Sequence, residues 1–569
     1  MKKLWIVIII LIPVNLCAEK KYPQNIFIAP VNYKMTLSGN FGELRKNHFH
    51  SGIDIKTDGV IGKKIYAIAD GYVSRVKVSP TGFGKVIYIT HPNGFTSVYG
   101  HLNRFVKEIN VFVKAQQYKK KSFAVDLYLK KRQIELKQGE VIAFSGNSGG
   151  SEGPHLHFEI RETSSEKPVN PLLFGFKIKD FIRPKIKGIK IYPLTERANI
   201  NGKTIPLILN AVGWGLNYHA KQDQIINVSG EIGFAINTFD LLNDSHNKNG
   251  IYSIELRIDS VLIYFYKMEK FSFSESRYVN SLIDYEHYVD YKQRYQRSLV
   301  DSGNKLSVIE KAINQGIVLF NDTLIHHLVY EIKDAYGNTS RFICELQSTL
   351  AEKKNKTKKL ISKNWFYHNR NNAFIADGIS INFRQGTFYN SFEFKFEQKP
   401  IEKFFYSNIV DIHRKQVAVH KKYRLKIKTI NLPKKLNSKA LLVCLNGDEL
   451  KPYSSTFSDG YIKATPKELG RFAVMIDSTA PQIIPLNIHN GKKIPGYKKI
   501  TFKVTDNLSG IKSYVGKLNG NWVLVEFDPK NDRMTYFVDH RMKKGKNIFV
   551  LEVSDDRNNK SSFSAAVYF

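Results

Sequence analysis

"GPHLHFEI" (residues 153–160) decides how the first third of this chain is read. Gly153-Pro154 marks a turn. The four residues after it alternate, His155 and His157 against Leu156 and Phe158. On a strand, residues i and i+2 share a face, so both imidazoles project together while Leu156 and Phe158 enter a core on the other side. Two imidazoles on one face can bind a metal, or one can bind while the other moves protons. They can also be neighbours on a strand and nothing more. The pair alone does not choose between these readings.

Two other stretches bear on it. In "HFHSGIDIKT" (48–57), His50 and Asp54 are four positions apart, and Gly52 between them lets the backbone bend so that both side chains converge. His48 forms a competing His-x-His with His50. In "SVYGHL" (97–102), His101 ends a strand beside Gly100.

Taken together, "FGELRKNHFHSGIDI" (41–55), "ADGYVSRV" (69–76), "GFGKVIYITHPNGFTSVYGHL" (82–102) and "GEVIAFSGNSGGSEGPHLHFEIR" (139–161) resemble the LytM/lysostaphin-type zinc metallopeptidases. These are exported enzymes that cut peptide bonds in peptidoglycan. The order and approximate spacing of the four stretches match over about residues 37–172. The resemblance implies one zinc ion held by His50, Asp54 and His157, with His101 and His155 as catalytic histidines beside it. It leaves open which of the two is the base and which stabilises the oxyanion. Two imidazoles and a carboxylate leave a fourth tetrahedral position for water, as zinc hydrolysis requires. His48 stays outside the ligand set, as a surface imidazole or one supporting the ligands, and His91 is read as a turn residue. The glycine-rich 145–155 stretch reads as a flexible wall of a substrate groove.

The pattern of the chain is mainly β, with short alternating strands punctuated by Gly, Asn and Pro. The N-terminal part is expected to be an antiparallel β-sheet of lysostaphin type. "KIYAIA" (64–69) should form a hairpin with "YVSRVKV" (72–78) across Asp70-Gly71, and "KVIYITH" (85–91) with "FTSVYGH" (95–101) across Pro92-Asn93-Gly94. The segment 105–138 reads as an insert, with a helix over 108–121 and a strand over 123–129. It either walls the groove or decorates the sheet edge.

Beyond Pro184 an internal echo appears. "VYEIKDAYGNTSRF" (329–342) matches "VLEVSDDRNNKSSF" (550–563) as strand, Asp-led turn and strand. The expected partition is a signal peptide at 1–18 and a metallopeptidase domain at 19–180. Immunoglobulin-like β-sandwiches follow at 181–346 and 477–569, with a further β-rich module at 360–476 between them. The basic "EKKNKTKK" (352–359) reads as a linker. The Tyr-rich 284–297 stretch reads as a helix with Tyr288, Tyr291 and Tyr295 on one face, a packing surface in preference to a glycan platform.

The N-terminus has the form of an export signal. Lys2 and Lys3 precede the short apolar run Leu4 to Ile12, with cleavage expected after Ala18. Val14-Asn15-Leu16 makes a poor lipidation signal before Cys17. The destination is then the periplasm, the cell envelope or the exterior. Cys344 and Cys444 lie in apolar surroundings and read as buried free thiols. The net charge of +35 suits an anionic envelope polymer or a membrane surface, although a Lys- and Asn-rich codon bias produces the same balance. No nucleic-acid-binding motif accompanies the charge. Besides an endopeptidase, the sequence admits a non-catalytic activator or scaffold of other wall hydrolases. It also admits a factor that chiefly binds the envelope. It does not fix the bond cleaved or the oligomeric state.

Overall fold

The computed structural model describes residues 21–221, 225–350, 364–494 and 498–569. The expected signal segment and the 352–359 linker lie outside the described residues.

The N-terminal domain is built on a nine-stranded sheet. Its main path runs Leu37–Gly39, Ile53–Lys56, His155–Glu162, Phe95–Leu102, Lys85–Thr90, Gly71–Val78 and Val125–Tyr128, with every pair antiparallel. Alternation along the strands sends Ile53, Ile55, Val73, Ile87, Ile89, Leu156, Phe158 and Ile160 into one core. The opposite face of the central strands carries the polar side chains of Asp54, His157 and Glu159, buried without entering that core.

The second expected hairpin forms. Tyr88 lies opposite Val98, and His91 N donates to Phe95 O at 2.9 Å across the turn. The first does not. Lys64–Tyr66 pairs instead with Val141–Phe144, in a separate three-stranded sheet that also takes Arg104–Phe105. The strand ends at Tyr66, and Ala67, Ile68 and Ala69 are buried in succession, so the alternation of a hairpin arm breaks before the turn. Gly71 does not adopt the positive φ of a type I′ turn. Its role is close approach, since a Cβ there would sit 2.5 Å from the carbonyl oxygen of Thr90.

The insert contains the helix Lys107–Lys120, which buries Ile109, Val113 and Gln117 at i, i+4 and i+8 and ends at Lys121 in the left-handed conformation. Its strand, Val125–Tyr128, pairs with the outer edge of Gly71–Val78, several strands away from His157. The insert extends the sheet edge, and the cleft described below contains none of its residues.

Three further bodies follow, each with its own apolar core. The strands between Lys185 and Ser348 join into one twelve-stranded network. The 14-residue strand Ile226–Phe239 pairs antiparallel with Lys185–Pro193 and parallel with Thr339–Ser348, which links what would otherwise be two sheets. Residues 372–476 form two five-stranded sheets over one core, and residues 482–568 a four- and a five-stranded sheet. In the Tyr-rich stretch the helix covers only Tyr285–Tyr291 and stops at Lys292, with positive φ. Tyr295 lies beyond it, so the three tyrosines do not share a helical face. Cys344 and Cys444 are free and buried. No helix among the described residues is long and apolar enough to cross a membrane.

The bodies touch in sequence, and the last touches the first. Phe41 and Phe49 of the N-terminal domain sit in the core of the second body, with ring centroids 5.3 and 5.4 Å from that of Phe271. The second meets the third through Arg277 to the Val419 carbonyl at 2.9 Å and Asn390 to Asp301 at 2.7 Å. In the fourth, Arg557 donates to the carbonyls of Ala440 and Ser455 in the third, each at 2.9 Å. The fourth closes onto the N-terminal domain. Lys114 pairs with Asp539 at 2.9 Å, Lys85 pairs with Glu526 at 2.9 Å, and the Arg541 guanidinium lies 3.6 Å from the Tyr118 ring centroid.

Candidate metal centre

Three strands supply the centre. Ile53–Lys56 and His155–Glu162 run side by side with Asp54 opposite His157, and Gly100 lies opposite His157 on the other flank. A Cβ on Gly100 would lie 3.4 Å from that of His157, so the small residue leaves room for the imidazole. His50 enters from the preceding loop, where Gly52 passes so near the neighbouring strand that a Cβ would be 2.3 Å from the Phe158 carbonyl.

His50 Nε2, Asp54 Oδ1 and His157 Nδ1 converge. The His50–Asp54 and His50–His157 separations are 3.0 Å, and His157 Nδ1 lies 2.9 Å from Asp54 Oδ1. All three residues are buried. The other ring nitrogens are committed elsewhere. His50 Nδ1 lies 2.7 Å from the Asn40 carbonyl, and His157 Nε2 lies 2.8 Å from Glu159 Oε1. With a metal bound, each ring would donate outward and turn a lone pair toward the common point. Arg45 occupies Asp54 Oδ2 at 2.6 Å, leaving Oδ1 for the centre. The donor set fits a zinc-type ion.

His101 and His155 flank this point, with their ring centroids 4.8 Å apart. His155 Nε2 lies 3.4 Å from Asp54 Oδ1, and its Nδ1 faces the Gly153 carbonyl at 2.9 Å. His101 Nδ1 faces the Ser148 carbonyl at 2.8 Å, leaving Nε2 for the cleft. The backbone of His101 is left-handed, with φ of 57°. A bulky residue there is strained and is held by its surroundings, as functional side chains often are.

The electrostatics follow from burial and crowding. Burial would raise the Asp54 carboxyl, but the three histidines around it hold it well below the usual carboxylate range. Burial lowers His50. Burial also pulls His157 down, but its hydrogen bonds to Asp54 and Glu159 outweigh that and raise it to about 9. Glu159 is held at about 2 despite complete burial, by Arg161, His157 and Ser51. Burial, then the neighbouring His157 and His155, push His101 down to about 3, so it is neutral at physiological pH.

All five residues singled out from the sequence thus meet at one place. His48 is exposed and lines the same cleft away from the centre, and His91 is buried at its turn between the Asp70 carbonyl and Ser97. The sequence reading missed Glu159, Arg161, Arg45 and Asn40. For the first two the signal was present, because the alternation that pairs His155 with His157 continues through Glu159 and Arg161.

The cleft holds about 760 Å³ and is walled by residues 150–155, by 43–46 with His48, and by 56–59. Asn247 and Arg294 of the second body also line it. The guanidinium of Arg294 lies 4.6 Å from the ring centroid of Tyr288.

The model for peptidase family M23 matches residues 48–119 and 115–171, the segment that carries all five residues. This part of the chain is a peptidase family M23 domain of the LytM type. A Zu5-like domain model matches residues 363–477. Among curated proteins, the DD-carboxypeptidase/endopeptidase Mpg of Neisseria meningitidis is 32% identical over 123 residues, covering 22% of each chain. The peptidoglycan DD-endopeptidase ShyA of Vibrio cholerae is 28% identical over 149 residues, 25% of this chain and 28% of its own. The murein hydrolase activator NlpD of Salmonella typhimurium is 33% identical over 135 residues, 24% of this chain and 28% of its own. The chain thus spans under a third of the length of these relatives.

Proposed function

We propose that the protein is an exported zinc endopeptidase that hydrolyses peptide bonds in peptidoglycan. The observation that carries this reading is the convergence of His50 Nε2, Asp54 Oδ1 and His157 Nδ1, with two further histidines beside them. His50, Asp54 and His157 would hold one zinc ion. Zinc bound there supplies Lewis-acid polarisation of a scissile carbonyl and a water acidic enough to ionise near neutral pH.

The chain's own residues do the rest. His101 is neutral and offers Nε2 to the cleft, so it can accept a proton. His155 presents Nε2 from the other side, so one imidazole serves as base while the other donates to the oxyanion or the leaving amine. Glu159 and the Asn40 carbonyl fix the ligand tautomers. Residues 150–155 and Arg294 border the groove in which an extended peptide lies.

The test is digestion of purified sacculi followed by mass spectrometry of the muropeptides. Wild type should contain one zinc per chain and shorten crosslinked or stem peptides. His157→Ala should lose the metal, while His101→Ala should keep it and lose turnover. Zinc-loaded wild type that leaves every crosslink and stem peptide intact would refute the reading.

The similarity to an activator motivates a second reading, in which the domain stimulates another wall hydrolase. Undiminished stimulation of an amidase by His157→Ala would favour it, because an open three-ligand site is the catalytic form. The β-rich bodies after residue 181 then serve as spacers or as docking surfaces for an anionic envelope polymer. Salt-sensitive binding of sacculi is the expected sign.

A further inference from the structure

A second group of metal-ligating side chains lies outside the peptidase site. Asp180, Asp240 and Asp334 bring one oxygen each within 4.8 Å of one another. Asp180 stands where the chain leaves the peptidase domain, Asp240 follows the long strand Ile226–Phe239, and Asp334 opens the turn of the Ile325–Lys333/Thr339–Ser348 hairpin. Asp240 is 2% exposed and Asp180 6%. Asp240 Oδ1 and Asp180 Oδ2 are buried with no hydrogen-bond partner. Asn249, whose backbone pairs with that of Asp240 at 2.8 and 3.0 Å, carries another buried oxygen without a partner.

The rest of the group is tightly built. Asp180 Oδ1 accepts from Ile182 N at 3.1 Å. Asp334 accepts from Tyr336 N, Asn338 N and Asn338 Nδ2 at 2.8, 2.9 and 2.6 Å. These donors are neutral. Burial and the other two aspartates push Asp240 up to about 9, and no cation is among the causes of its shift. Buried carboxylates are ordinarily paired with a cation or bound to a metal, whereas Asp180 here faces another acid, Asp334.

The fourth body repeats the frame. Asp180-x-x-x-Pro184 becomes Asp477-x-x-x-Pro481, and Asp334-x-x-x-Asn338 becomes Asp555-x-x-x-Asn559. Asn338 Nδ2 reaches the Asp180 carbonyl at 3.3 Å, and Asn559 Nδ2 reaches that of Asp477 at 2.9 Å. Ser340 and Ser561 donate to the Pro184 and Pro481 carbonyls at 2.7 and 2.6 Å. Asp506 stands where Asp240 does, and its Oδ1 is also without a partner. There, however, the second oxygen of Asp477 accepts from Ser509 N at 3.0 Å. Among the described residues, no corresponding backbone donor reaches the second oxygen of Asp180.

We propose that Asp180, Asp240 and Asp334 bind a hard divalent cation of the calcium class, which ties the first residues of the second body to its closing hairpin. An all-oxygen set with carboxylates is the donor type such ions take, and three oxygens within 4.8 Å of one another are close enough to share one ion. A cation here would fix the angle at which the second body leaves the peptidase domain. That second body also supplies Arg294 to the cleft.

The test uses full-length protein with the peptidase site saturated with zinc, and calcium chloride alone as probe. Equilibrium dialysis should show calcium bound, and calcium should raise the Tm by about 5 °C or more at saturation. Asp240→Asn and Asp180→Asn, each isosteric, should bind one calcium fewer and lose most of that rise. Without calcium both variants should match or exceed wild type in Tm, since each removes a carboxyl crowded against two others in a buried site. Wild type that neither binds calcium nor shifts in Tm at 10-fold millimolar excess would overturn the proposal. So would variants that bind as much calcium as wild type, or that lose the same Tm with and without it, the mark of a purely structural role. If one variant fails to fold, the other and the wild-type dialysis still decide.

Discussion

At the scale of single residues, the centre depends on groups that never touch substrate. Glu159 is fully buried and accepts from His157 Nε2, while Arg161 pairs with its charge and Ser51 Oγ donates to it. Glu159→Gln keeps the shape and removes the charge that fixes the ring. It should weaken zinc affinity by about 10- to 100-fold with the fold intact, measured by competition with a chelating dye. His101 was legible in the sequence only through the resemblance, whereas His155 was singled out by its alternation with His157, although neither shows by spacing that it stands near Asp54. Glu159 was legible without it, by counting two residues on from His157. Arg45 and Asn40 were not legible, because both act from a loop whose course is set by packing far along the chain.

That packing belongs to the scale of elements. The loop before His50 is pinned by Phe41 and Phe49 against Phe271, and Phe49 N donates to Ser276 Oγ at 2.9 Å. Phe49→Ala should cost about 3–5 kcal/mol in stability, as for other buried aromatics. Because His50 is the next residue, it should also lower zinc affinity, although no ligand is changed. Chemical denaturation and zinc titration of one preparation read both effects. Alternation found most strands of the peptidase sheet, including the hairpin at 92–94. It failed at Asp70-Gly71, where the alternation breaks after Ala67 and the strand before it pairs elsewhere. It also overextended the tyrosine helix, whose stop at Lys292 depends on a left-handed backbone that no periodicity reveals.

At the scale of the whole molecule, the ends of the chain cooperate. Lys530 of the last body donates to the Asn147 carbonyl, to Asn147 Oδ1 at 2.9 Å and to the Ser151 carbonyl at 2.9 Å. Ser151 Oγ in turn lies 3.2 Å from His155 Nδ1. The loop expected to be a flexible wall is thus gripped from the far end of the sequence. Lys530→Ala should raise KM for crosslinked muropeptides with zinc content unchanged, in steady-state assays. Near the beginning, Lys21 and Tyr22 bind Glu269 of the second body. Burial would raise Glu269, but Lys21, Tyr22 and Lys267 hold it at about 2, below its ordinary 4.5. A depressed carboxyl stabilises the fold above its unfolded pKa and ceases to do so as pH falls through its folded one. Tm should therefore fall less steeply between pH 4.5 and pH 2 in Glu269→Gln than in wild type.

The contact of the fourth body with the first makes the molecule a closed circuit of four links. A circuit can be opened at one place and still hold. If a protease site engineered between residues 351 and 363 were cut, the two fragments would remain joined through Arg277, Asn390 and Tyr389 on one side and Lys530, Lys85 and Lys114 on the other. Covalent continuity along the chain is then not what keeps the groove assembled, and a nicked molecule is expected to work as an intact one does.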